Sequence, residues 1–83
     1  MNSVVDSLNL PRDVFYGAPL LHITGKYEGI IENYKSIIEY DENNLILNTK
    51  DGKIKITGDS IKIEYFNESD MKIKGNLKEI VLL

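Results

Sequence analysis

The chain has 83 residues, no cysteine, one histidine and a net charge of −3. Disulfides are excluded, a zinc site is nearly so because its ligands are cysteine and histidine, and the charge argues against nucleic acid as the main ligand. The length suits one domain with one core, but a chain this short buries only about 60% of its unfolded surface, and a second subunit or a partner often makes up the difference.

Met1 to Leu10 contains no basic residue and no long apolar stretch, so no signal peptide is expected, and no apolar run approaches the ~18 residues of a membrane span. The expectation is a cytoplasmic protein. Residues 1–19 read as an N-terminal arm, in which Val4, Val5 and Leu8 could line one side of a short helical turn ended by Pro11. Residues 20–83 form a single β-domain, because hydrophobicity alternates with period two from Leu20 onward.

Leu20–Thr24, Gly29–Tyr34 and Ser36–Tyr40 are the first strands, and Asp41-Glu42-Asn43-Asn44 is a turn before Leu45–Thr49. Leu45 and Leu47 alternate with Ile46 and Asn48, and Ile54 and Ile56 alternate with Lys53 and Lys55, on either side of Asp51-Gly52. That pattern predicts a hairpin with a type I′ turn. Gly58-Asp59-Ser60, Asn67–Asp70 and Gly75-Asn76 read as further turns, separating strands at Ile61–Tyr65, Met71–Ile73 and Leu77–Leu82. The count is seven or eight short strands, and the fold class is all-β: a small antiparallel β-sandwich built as a meander. The alternative is a β-solenoid. Ile56-Thr57-Gly58 and Ile73-Lys74-Gly75 resemble one another seventeen residues apart, and Ile23-Thr24-Gly25 lies about twice that interval upstream.

Nothing in the sequence assembles an active site, and the protein is expected not to be an enzyme and to use no cofactor or metal. His22 sits between Leu21 and Ile23, so period two turns it to the opposite face beside Leu20 and Thr24, as a partly exposed sheet histidine. The carboxylates Asp41, Glu42, Asp51 and Asp59 stand in turns, where such groups bond the nearby backbone. The stretch from Asp41 to Asn44 lacks the ligand spacing of a calcium loop. Asn67-Glu68-Ser69 fits a glycosylation pattern short enough to arise by chance. Lys53, Lys55, Lys62, Lys72 and Lys74 would stud a polar face, but Asp51, Asp59, Glu64, Glu68 and Asp70 are interleaved with them. The apolar doublets Leu20-Leu21, Ile30-Ile31, Ile37-Ile38, Tyr65-Phe66 and Leu82-Leu83 are more telling. Adjacent strand residues point to opposite faces, so each doublet puts one large apolar group away from the core. Ile30, Ile38 and Phe66, with Pro11, Val14, Phe15 and Tyr16 of the arm, are the candidate partner interface.

These residues resemble the YabP/YqfC family of sporulation proteins. The likeness rests on Leu10-Pro11-Arg12-Asp13-Val14, Pro19, Ile23-Thr24-Gly25, Ile31-Glu32-Asn33-Tyr34, Ile54-Lys55-Ile56-Thr57-Gly58 and Ile73-Lys74-Gly75 before Ile80. The Leu-Pro-Arg-Asp-Val and Ile-Glu-Asn-Tyr segments are closer to the YqfC branch. The resemblance implies a β-domain made in the mother cell during sporulation, peripheral to the forespore membrane, and a membrane-protein partner. It brings no catalytic residues. The expected function is an interaction module in spore assembly, and the alternative is a homo-oligomeric, self-assembling subunit of a spore layer.

Overall fold

The structure is a computed structural model that describes residues 17–83. Every regular element among them is a strand: β1 (Leu20–Thr24), β2 (Glu28–Glu32), β3 (Tyr34–Tyr40), β4 (Asn44–Thr49), β5 (Gly52–Phe66) and β6 (Asp70–Leu82). They form one open antiparallel sheet in the order β1-β2-β6-β5-β4-β3. The all-β, sandwich-like reading holds, with six strands in place of seven or eight. The antiparallel pairing throughout leaves no room for a solenoid.

The miscount has a physical cause. Gly58-Asp59-Ser60 and Gly75-Asn76 do not end strands; they bend them, so that β5 and β6 each run through both layers. At these bends the β5–β6 register shifts, Ser60 takes φ 55° and Gly75 takes φ 151°. Both are turn residues by composition, and a β-bulge calls for the same conformational freedom. The first part of β5 pairs with β4, and Asp70 to Lys74 of β6 pair with β2. The pairing of β2 with β6, far apart in sequence, is also what departs from a simple meander.

The two layers are related by an approximate two-fold axis through the Asp59–Asn76 pair. Ile56 faces Ile80 on one side of that pair, and Ile63 faces Ile73 on the other. Each bend is capped by the loop of the neighbouring hairpin. The Gly58 and Ile61 amides donate to the Asn43 and Glu42 carbonyls at 3.0 and 2.8 Å, and the Gly75 and Leu77 amides donate to the Tyr27 and Lys26 carbonyls at 3.1 and 2.7 Å. Backbone donors released by the bulges are thereby satisfied in the same way twice. The seventeen-residue recurrence is the trace of this internal symmetry.

The core lies between the layers: Ile31, Tyr34, Leu45, Leu47, Ile54, Ile56, Ile61, Met71, Ile73 and Leu77 are all buried. Strand β4 alternates along its whole length, with Leu45, Leu47 and Thr49 inward. The β4–β5 hairpin is present, but its turn residues are Lys50 and Asp51, and Gly52 opens β5 with φ 131°. Of the two residues expected to need positive φ, only the glycine has it; a Cβ there would collide with the Leu83 carbonyl.

Candidate interaction surface

The outer face of the β1-β2-β6-β5 layer is polar and internally neutralised. His22 stands beside Leu20 and Thr24 as expected, exposed, with Nε2 2.7 Å from Oε2 of Glu32 on β2. Lys74 Nζ lies 2.8 Å from Glu64 Oε2 and 3.8 Å from Glu28, while Lys72 Nζ lies 3.5 Å from Glu64 and 3.6 Å from Glu28. The hydrogen bond from Lys74 lowers the Glu64 pKa, and the same bond raises that of Lys74. Lys78 likewise holds Asp59 below the usual carboxylate range across 2.9 Å. Exposed pairs of this kind add little stability. Their effect is to cancel the lysines' field locally, so Lys72 and Lys74 do not form a basic patch.

Asp41 serves its own turn. Its Oδ1 accepts the amides of Asn43 and Asn44 at 2.7 and 2.8 Å, and those two bonds hold its pKa down. Asn67 Oδ1 does the same for Ser69 and Asp70. Among the described residues no three His, Cys, Asp or Glu side chains converge as a metal site requires.

Four of the predicted interface residues, Pro11, Val14, Phe15 and Tyr16, lie outside the described residues. Ile30 is half-buried on the outer face, in a row with His22 of β1 and Lys72 of β6. Ile38 is 50% exposed at a bulge of the edge strand β3. Phe66, 63% exposed, ends β5 on the face it shares with Met71. The three therefore stand on three different strands, with Ile30 and Phe66 on opposite faces.

What the linear pattern did not reveal is a pair of seams between the layers. Among the described residues, β3 and the second half of β5 have no strand pairing with each other, and neither do β1 and the second half of β6. Exposed Ile37, Tyr40 and Phe66 flank the first seam, and Ile23, Leu82 and Leu83 flank the second. Only long-range pairing shows which strands remain edges, so no local signal could have located them.

The family model described as YabP family matches residues 18–83, which takes in the whole of the described sheet. The chain belongs to the YabP family. A relative, "Uncharacterized protein YqfC" of Bacillus subtilis (strain 168), is 25% identical over 71 residues, spanning 86% of this chain and 76% of the relative. No solved structure matches. The YabP-family match begins at Ala18, next to the first described residue, so both layers and both seams of the sandwich fall within it. Among the described residues no helix is long and apolar enough to cross a membrane.

Proposed function

We propose that this YabP-family protein is a non-enzymatic interaction module used in spore assembly, and that it docks with a membrane protein of the sporulation pathway from the cytoplasmic side of the mother cell. The observation that carries the docking is the set of large apolar residues left at the seams and strand ends: Ile37, Ile38, Tyr65, Phe66, Leu82 and Leu83 are all exposed. A domain this small has few apolar groups to spare, and their concentration away from the core favours contact with another chain. The sporulation setting is drawn from the family.

The experiment is deletion of the gene in its own host, with heat-resistant spores counted, together with size-exclusion of the purified chain alone and with the soluble part of the membrane protein encoded beside it. A spore defect and a shift to a joint peak are expected. Normal spore yield, or a monomer indifferent to that neighbour at high concentration, would refute the reading.

A further inference from the structure

The two seams are equivalent under the approximate two-fold axis but are closed differently. Across the first, two tyrosines of β3 reach over to β5 and the residue that follows it: Tyr40 donates to the carbonyl of Ile61 at 2.9 Å, and Tyr34 to the carbonyl of Asn67. Across the second, β1 has no such groups. Tyr40 pairs with Leu45, and the equivalent pair in the β1–β2 hairpin is Ile23 with Gly29. A Cβ on Gly29 would sit 3.2 Å from Ile23 Cδ1, so Ile23 folds down over the glycine instead of spanning the seam. A cavity of about 230 Å³ remains between Ile23, Gly25 and Lys26 on one side and Leu77, Lys78 and Ile80 on the other. Its mouth opens to solvent beside Lys26, Lys78 and Glu79, and its volume, above the roughly 150 Å³ that holds benzene, leaves room for a phenol ring with its hydroxyl toward those polar groups.

The other end of the seam repeats the pattern. Ala18, whose carbonyl accepts a 2.9 Å hydrogen bond from Asn33 Nδ2, stands where Tyr34 stands in the opposite layer. A second cavity, of about 220 Å³, opens there between Ala18 and Pro19 and the exposed Leu82 and Leu83.

We propose that the β1–β6 seam is a docking slot for an extended segment of the partner protein, which inserts an aromatic side chain beside Ile23 as Tyr40 does across the opposite seam. This deepens the proposed function by naming where the partner binds, and it rests on that reading for the partner's existence. The spacing from Tyr34 to Tyr40 corresponds to roughly 20 Å of strand, so the segment carries a second apolar side chain about that far along to enter the cavity by Leu82. Among the described residues each lip is an edge whose outer backbone groups have no strand partner and can accept an added strand. A slot lined on both sides admits a segment free on both edges, which a folded second copy does not offer.

The test is an NMR titration of the full chain with millimolar p-cresol, the tyrosine side-chain analogue. Saturable shifts are expected at the methyls of Ile23, Leu77 and Ile80, larger than with toluene, while Ile37 and Ile61 stay still. Ile23→Tyr supplies the missing ring; it should abolish those shifts and, at wild-type protein level, cut heat-resistant spores at least tenfold, whereas Glu39→Tyr, at an exposed position of β3, leaves them unchanged. The absence of saturable shifts in the wild-type chain would overturn the slot, and that arm depends on no variant folding. Contacts from residues 1–16 filling the cavity, its occupation by a second copy as concentration rises, or full sporulation by folded Ile23→Tyr would overturn it too. A deletion strain with normal spores refutes the sporulation reading instead, so the two failures are distinguishable.

Discussion

The phenol of Tyr40 donates a hydrogen bond to the carbonyl oxygen of Ile61 at 2.9 Å, tying the edge strand β3 to the far half of β5. No sheet ladder joins those two strands, so this bond and its counterpart from Tyr34 to Asn67 close one side of the sandwich. Tyr40→Phe keeps the ring and removes the bond; it should cost about 0.5–1.5 kcal/mol in urea unfolding. Tyr34 is buried, but the carbonyl that Tyr34→Phe leaves belongs to the exposed Asn67, so that variant should cost a similar amount.

The bends are the second place where one atom matters. A Cβ on Gly58 would strike the Asn76 carbonyl, and Gly75 combines φ 151° with close approach to the backbone of Ser60 and Ile61. Gly58→Ala and Gly75→Ala should each lower stability by more than about 1 kcal/mol. Gly29→Ala should cost less, because the tightest contact there is the end of the Ile23 side chain. Equal midpoints for all three in urea unfolding would refute this ordering.

Core and surface isoleucines should separate cleanly. Ile56 is fully buried between β4 and β6, and Ile56→Ala should cost about 2–5 kcal/mol. Ile38→Ala, at an exposed bulge, should stay within about 0.5 kcal/mol of wild type. Thermal unfolding followed by circular dichroism distinguishes the two.

Asp41, Asp59 and Glu64 all have lowered pKa values, from backbone amides, Lys78 and Lys74 respectively. A carboxyl whose folded pKa is depressed contributes stability above its unfolded pKa and loses it as pH falls through the folded value. Stability should therefore decline on acidification below about pH 4. Asp41→Asn keeps an oxygen acceptor for the turn but not the charge, so it should lower stability slightly at pH 7 and flatten the acid decline. Tyr34 shifts the other way: burial, then the charge of Asp70, raises its pKa. Its contribution is complete below the unfolded value and fades as pH rises through the folded one, a fade that Tyr34→Phe should abolish. Urea midpoints from pH 2.5 to 11 check both limbs.

Much of this molecule was legible in its residues. Alternation in Leu45–Asn48 and Lys53–Ile56 placed both strands, their buried faces and the hairpin between them, because a half-buried strand imposes period two on its own sequence. The same rule put His22 on the outer face. Asp41 and Asn67 bond the backbone two and three residues on, so their turns were equally local. The bends were misread because a glycine that lets a strand kink and a glycine that ends it look alike in one dimension.

The amino-acid sequence by itself determined the all-β class, the inward faces of β4 and of the first half of β5, and the lack of cysteine chemistry, since all of these depend on neighbours a few residues apart. Only the tertiary structure decided that β2 pairs with β6, that two bent strands make two related layers, and that, among the described residues, tyrosines bridge one seam while Ile23 and Gly29 do not bridge the other. Those outcomes depend on which distant backbones share hydrogen bonds, and period two is the same whichever partner a strand finds.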